Sequence, residues 1–391
     1  MKIVFWIALF IVFYTYIGYG ILLYIIIRLK RLFVGRPHEA VLPADEELPT
    51  MTLMICAYNE EDIVKEKMAN TLALDYPKDK FRIMWVTDGS NDHTNELLAA
   101  YPEVDIVFSP ERRGKTAALK HGLRELKTRY VAFTDANTMI NTGALREIAR
   151  LFSDPTVGCV SGEKRVAARK AGEMASEGEG LYWRYESTLK RWDSELYSAM
   201  GAAGELYAID PQLCREVPDE ALLDDFMLSM YVVQAGKRIA YTSDAYAREY
   251  GSANIYEESK RKRRIAAGGL QSIWWLRSML NPLRQPLVTF QYVSHRVLRW
   301  SITPVAMVLL LIVNIALVAM GAGTFYTVML ILQTLFYLMA LAGWLTNRLG
   351  YKNKLLYTAY YFMFMNFNVF RGMAYLRSHG KSGAWEKAKR S

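Results

Sequence analysis

Three cysteines in 391 residues, Cys56, Cys159 and Cys214, leave one unpaired and form no CxxC spacing. That argues against a disulfide framework, a zinc ribbon or a thioredoxin-like site, and suits a reducing compartment. The five histidines are scattered, with neither HxxxH nor HExxH, which makes a zinc hydrolase a poor fit. Glycine-rich nucleotide loops are missing too. Gly114-Lys115-Thr116 has the look of a P-loop end, but Ser109 stands where its first glycine belongs. No GxGxxG follows the first strand-like run, so a Rossmann dinucleotide site has no support. Charge is absent from two long stretches, Ile3 to Ile27 and Trp300 to Asn347.

Apolar residues make up 52% of the chain and charged residues 22%, which excludes a disordered or low-complexity protein. The formal net charge of +9 suits either nucleic acid or a membrane surface. Its distribution favours the membrane. Basic clusters at 28–36, 260–264 and 377–391 exceed the net charge, leaving the remainder mildly acidic.

The first uncharged stretch would span roughly 37 Å as a helix, and the basic run Arg28, Lys30, Arg31 and Arg36 follows it. An uncleaved anchor with its C-terminal end in the cytoplasm is the expectation, rather than a signal peptide. Gly321-Ala322-Gly323 divides the second stretch into spans at about 302–320 and 325–346, with basic residues at both outer ends. Leu355 to Phe370 is shorter, contains Asn366 and Asn368, and meets Arg371, which reads as an interfacial or re-entrant helix. Arg277, Arg284, Arg296 and Arg299, with Pro282 and Pro286, suggest amphipathic helices lying on the cytoplasmic leaflet over 271–299.

The expected organisation is an N-terminal transmembrane helix (1–30), a basic and polar linker (31–49) and a cytoplasmic catalytic domain (50–265). Amphipathic interfacial helices (266–300) and C-terminal membrane helices with a basic tail (301–391) follow. Within the domain, strand-like runs at Met51–Cys56, Phe81–Thr87, Val104–Phe108 and Tyr130–Thr134 alternate with helical patterns. Such βαβ repetition means an α/β fold with a mostly parallel sheet covered on both faces.

Polar groups crowd the strand ends, where open α/β sheets bind ligands. Strand one ends in Ala57-Tyr58-Asn59-Glu60-Glu61, and strand two in Thr87-Asp88-Gly89-Ser90-Asn91-Asp92. Arg112-Arg113-Gly114-Lys115 follows strand three, and Thr134-Asp135-Ala136-Asn137 ends strand four. Each alone reads equally as a turn or cap; four in succession point to a site. A nucleotide would be held by acidic loops at base and ribose and by a carboxylate-bound metal at the phosphates.

This series, continued by Leu222-Leu223-Asp224-Asp225-Phe226 and Lys260-Arg261-Lys262-Arg263-Arg264, resembles the membrane-bound inverting family-2 glycosyltransferases of GT-A fold. In layout it is most similar to the hyaluronan, chitin and poly-N-acetylglucosamine synthases, over about 50–275. The resemblance implies that Ala57, Tyr58 and Glu60 line the nucleoside pocket and that Asp88 contacts base or ribose. It places Lys115 near the nucleotide and Arg264 on the diphosphate. Asp135 becomes the anchor of an Mg²⁺ or Mn²⁺ site, with Asn137 where the family has a second acid. Asp225 becomes the general base. Gly201, Gly204, Asp224 and Arg261 fall on the acceptor side.

Taken alone, Asp224 and Asp225 would be helix-capping acids, and the basic run a solvated, lipid-facing helix. Ile265 stands where the chain-extending members have a tryptophan, and Trp274-Trp275 read as an interfacial belt.

The expected activity is transfer of a sugar from a nucleotide diphosphate, UDP-linked by preference, to a lipid-linked or glycan acceptor at the cytoplasmic face. Cell-envelope or extracellular glycan synthesis would be its setting. A processive polysaccharide synthase is the rival, needing a second copy or an accessory membrane subunit for its channel wall. A non-catalytic sugar-nucleotide sensor, a transporter and a nucleic-acid-binding membrane protein are remoter readings.

Overall fold

The strands β1 (Met51–Ala57), β2 (Phe81–Asp88), β3 (Val104–Ser109) and β4 (Tyr130–Asp135) pair in parallel in the order β3-β2-β1-β4. The sheet continues through β5 (Met139–Ile140), β6 (Val157–Ala167), β7 (Tyr207–Ile209) and β8 (Arg238–Tyr250), giving the full order β3-β2-β1-β4-β7-β6-β8-β5. β7 runs antiparallel to both β4 and β6. Both faces are buried, because successive side chains alternate: Leu53 and Ile55 enter one apolar core and Met54 the other. The computed structural model describes residues 1–35, 40–167, 174–250, 255–351 and 353–379. Arg36, Lys352 and the tail residues Lys381, Glu386, Lys387, Lys389 and Arg390 lie outside the described residues.

In chain order the longer helices are α1 (Lys2–Val34), α2 (Val64–Leu72), α3 (Thr94–Ala99), α4 (Lys115–Arg124), α5 (Ala144–Phe152) and α6 (Met174–Leu196). They continue with α7 (Asp224–Gln234), α8 (Ile255–Trp275), α9 (Pro286–Ala319), α10 (Thr324–Arg348) and α11 (Lys354–His379). Among the described residues, α1, α9 and α10 are long and apolar enough to cross a membrane. Their outward residues, such as Phe10, Ile312 and Leu335, are exposed, leaving apolar faces of the kind that lipid covers.

The boundaries expected at 265 and 300 fall inside helices, α8 and α9 respectively. Pro286 sits in the first turn of α9, where its missing N–H costs nothing, and the helix then continues unbroken. The expected surface-lying segment over 271–299 is therefore divided between the end of α8, a short turn at Arg277–Leu280 and the start of α9. Arg296 and Arg299 are buried rather than interfacial, because Glu186 of α6 pairs with both.

Side-chain contacts tie the apolar helices to the sheet domain. Tyr19, Leu23 and Ile27 of α1 pack on Leu189 of α6, and Arg31 pairs with Glu195 at 2.6 Å. α11 packs against α8 and α10 rather than lying apart. Its buried Asn366 accepts a hydrogen bond from Tyr16 of α1 at 2.5 Å, and Ser259 donates to its Asn368 at 3.2 Å.

Candidate active site

The polar strand ends hold one another before they hold any ligand. Asn59, with φ of 51°, exchanges hydrogen bonds with Asn91. The backbone N–H groups of Glu60 and Glu61 donate to Thr94 and Asp92, at 2.8 and 3.1 Å. Asp88 accepts from the amides of Arg113 and Gly114, at 2.9 and 2.6 Å, and so shapes the loop that carries Lys115. A Cβ on Gly89 would meet the Arg112 nitrogen at 2.6 Å, so glycine there lets the two loops touch. Arg112 lies over the Tyr58 ring, 3.9 Å from its centroid. Ala57, Tyr58, Glu60 and Asp88 thus share one rim at the ends of β1 and β2.

Beside that rim opens a cavity of about 440 Å³. Of the expected site residues it gathers Lys115, Asp135, Gly204, Asp224, Asp225, Arg261 and Arg264 in one wall, and Ile265 lies among them. Ala57, Tyr58, Glu60, Asp88, Asn137 and Gly201 are outside its lining. Lys115 Nζ donates to Asp135 Oδ1 at 2.7 Å. Burial works against the Lys115 charge, but Asp135, Asp224 and Asp225 together raise its pKa above the ordinary lysine value.

Asp224 and Asp225 open α7, whose following residues Phe226, Met227, Leu228 and Met230 are buried and fix its position. Asp225 Oδ1 accepts from the Phe226 amide at 2.8 Å. Burial, reinforced by the neighbouring Asp224 charge and opposed by Lys115, pushes the Asp225 carboxyl up to about 6. Asp224 Oδ2 is buried and has no hydrogen-bond partner among the described residues. Two acids at a helix start would ordinarily serve the macrodipole. A raised carboxyl and an orphaned oxygen on two residues that line a cavity mark a candidate reaction site instead.

The glycines have specific neighbours. A Cβ on Gly204 would stand 2.7 Å from Asp225 Oδ2, and one on Gly201, at φ of 95°, would strike the Phe226 ring at 2.2 Å. Their smallness accommodates the acid and its neighbour. Glu205 next to them accepts from Lys164 at 2.6 Å, with Arg261 Nη2 at 3.4 Å; Lys164 also pairs with Glu249. Burial opposes the Glu205 charge, yet Lys164 and Arg261 hold its carboxyl well below the usual range. Arg261 is thereby part of a buried ion network between β6, β8 and α8.

Asp135 ends β4 and Asn137 lies in the turn that follows, held from beneath by Lys67 of α2. Its buried ammonium donates to Thr138 O at 2.5 Å and Thr134 Oγ1 at 3.3 Å. Among the described residues no three His, Cys, Asp or Glu side chains converge into an all-protein metal cage. The Asp135 carboxylate and the Asn137 amide oxygen nevertheless suit a hard divalent cation that takes its remaining ligands from water and phosphate.

Several lining residues escaped sequence reasoning: Glu186 and Lys190 on α6, Trp300 on α9, and Tyr361 and Met365 on α11. Glu186 and Lys190 carry only a polarity that looks interfacial, as with Arg296 and Arg299, and the apolar Trp300 and Met365 carry no signal.

Residues 52–209 match the model of glycosyl transferase family 2. A poly-beta-1,6-N-acetyl-D-glucosamine synthase of Staphylococcus aureus is 35% identical over 125 residues, covering 31% of this chain and 30% of that protein. A beta-monoglucosyldiacylglycerol synthase of Synechocystis is 25% identical over 259 residues, 62% of this chain and 53% of the relative. The chain therefore spans under a third of the staphylococcal relative's length. A solved mannosyltransferase of Pyrobaculum calidifontis, in complex with GDP-Man and Mn²⁺, superposes with a TM-score of 0.68 at 21% identity, covering 96% of this chain and 99% of that one. At that identity the likeness establishes the GT-A-like fold.

Proposed function

With residues 52–209 matching the model of glycosyl transferase family 2, we propose that the protein is an integral membrane transferase. It moves a sugar, with inversion, from a nucleotide diphosphate to an acceptor that reaches the site from the membrane side. The observation that carries this is the single cavity running from Lys115, Asp135 and Asp225 to Tyr16, Trp300 and Met365 on the apolar helices and their neighbour α11. A donor phosphate at one end and a lipid-linked or glycan acceptor at the other can meet at Asp225. By the basic flanks of the apolar helices the sheet domain faces the cytoplasm.

In this reading the rim at Tyr58 and Asp88 receives the nucleoside, and Lys115 and Arg264 supply fixed positive charge to the diphosphate. Bound by Asp135 with Asn137, Mg²⁺ or Mn²⁺ would neutralise the departing diphosphate. Lys115 then exchanges its bond to Asp135 for phosphate oxygens. Asp225 takes the proton of the acceptor hydroxyl as its oxygen attacks the anomeric carbon. Its raised pKa suits that task, since a base near neutrality accepts a proton without being protonated beforehand. Asp224 keeps its neighbour basic and lends its free oxygen to the acceptor.

The test is a panel of nucleotide sugars and divalent metals offered to detergent-purified protein with native lipid, reading nucleotide release. Turnover of at least one donor, lost in Asp225→Asn, is expected; failure of every donor to bind or react would overturn the reading. Processive synthesis is the second reading, favoured by the staphylococcal match. Product length separates the two: a ladder or smear on a gel would replace single addition.

A further inference from the structure

Beyond Asp225 the cavity reaches a cluster that sugar transfer leaves unused, where two arginines share one carboxylate while Asp193 serves His295. Glu186 serves both Arg296 (Nη1 to Oε1, 2.7 Å) and Arg299 (Nη1 to Oε2, 2.8 Å), with His295 Nε2 at 3.3 Å. One carboxylate thus faces two guanidinium groups. Arg299 is 8% exposed, and its Nε and Nη2 are buried without a hydrogen-bond partner among the described residues. The Tyr182 and Tyr185 hydroxyls interact with that guanidinium but do not reach hydrogen-bonding geometry with those two nitrogens. Lys190, 4% exposed, has no ion-pair partner among the described residues and stands 5.9 Å from the Trp183 ring centroid.

Buried donors left without acceptors are costly, so this end of the cavity suits an anion. Nε and Nη2 form one edge of the guanidinium fork, the edge that clasps two oxygens of a phosphate. The surrounding walls say what carries the anion: Phe362, Met365 and Val369 of α11 are apolar, and Tyr16 comes from the membrane-length α1.

We propose that Arg299 and Lys190 bind the phosphate of a lipid headgroup, with the lipid chain along Phe362, Met365 and Val369 and a headgroup hydroxyl presented to Asp225. The inference rests on the transferase reading and names its acceptor as a phosphate-bearing lipid with a free hydroxyl.

The experiment measures binding to full-length protein in nonionic detergent, with no nucleotide sugar present. The probes are dihexanoyl phosphatidylglycerol, dihexanoyl glycerol and inorganic phosphate. The phosphatidylglycerol should bind about tenfold or more tighter than either of the others. Arg299→Gln should narrow that gap to within about threefold, and it leaves Glu186 with one arginine, a balanced pair. Lys190→Gln breaks no ion pair and should narrow the gap in the same direction, which keeps the test open if the first variant folds poorly. Equal binding of the neutral lipid, or discrimination surviving both substitutions, overturns the proposal. Inorganic phosphate matching the lipid overturns it in favour of a soluble anion. Donor turnover is read separately, so an enzyme inactive on every nucleotide sugar counts against the transferase reading and not against this comparison.

Discussion

In the proposed reaction Asp225 concentrates the chemistry at one side chain. The fold raises its pKa from 3.8 to about 6, so the folded protein holds that proton more tightly than the unfolded chain. That contribution to stability is present at low pH and is lost as pH rises through about 6. Activity has the opposite sense, because the base must be ionised: kcat/KM should be flat above pH 7 and fall about tenfold per unit below 6, in a pH profile on any accepted donor. Asp225→Asn should cut transfer by about 10²–10⁴ while the melting temperature rises by about 1–3 °C. A variant that keeps its activity would remove Asp225 from the base role. Gly204→Ala places a methyl 2.7 Å from Asp225 Oδ2 and should lower kcat by about tenfold or more with little change in melting. Gly201→Ala, strained at φ of 95° and clashing with Phe226, should instead destabilise by about 1–3 kcal/mol. The chain alone marks these as glycines near acids; only packing tells the two apart.

Elements matter through the loops they pin. α2 reaches under β4 with Lys67, whose ammonium holds the Thr134–Thr138 turn from which Asp135 projects. Lys67→Met keeps the stem and removes the donor, leaving the buried Thr138 carbonyl unsatisfied. A loss of about 1–3 kcal/mol in stability and a raised half-saturating metal concentration are expected, measured by thermal melting and metal titration. If metal dependence does not move, the turn is held by other contacts. The alternation of β1 to β4 with helices was legible from apolar runs and polar punctuation. β7, running antiparallel between β4 and β6, was not, because three residues carry too little periodicity to read. α9 was misjudged for a different reason: arginines in an apolar helix look interfacial unless their carboxylate partner, more than a hundred residues away on α6, is known.

At the scale of the whole molecule, ion networks fasten the sheet domain to the apolar helices. Tyr19 of α1 and His295 of α9 both bond Asp193 of α6, and Glu186, two turns earlier on α6, pairs with Arg296 and Arg299. Glu186→Gln strands two buried guanidinium groups and should cost about 3–5 kcal/mol, seen as a large drop in melting temperature in detergent. If the drop is under a degree, the network is not a structural tie. The protein should also resist extraction by alkaline carbonate, as a chain with several membrane-crossing helices does. What the sequence by itself determined is whatever depends on local pattern: three apolar helices, a mostly parallel sheet, and polar motifs at strand ends, since period and spacing are properties of neighbouring residues. The helix-lined end of the cavity was decided by tertiary structure alone. Its wall draws Tyr16, Glu186, Lys190, Arg299 and Met365 from four distant helices, and no local pattern records which buried charge will find too few partners. The opening sparsity of charge in the apolar stretches thus acquired a boundary: charge enters at Arg296 and Arg299, where α6 meets it.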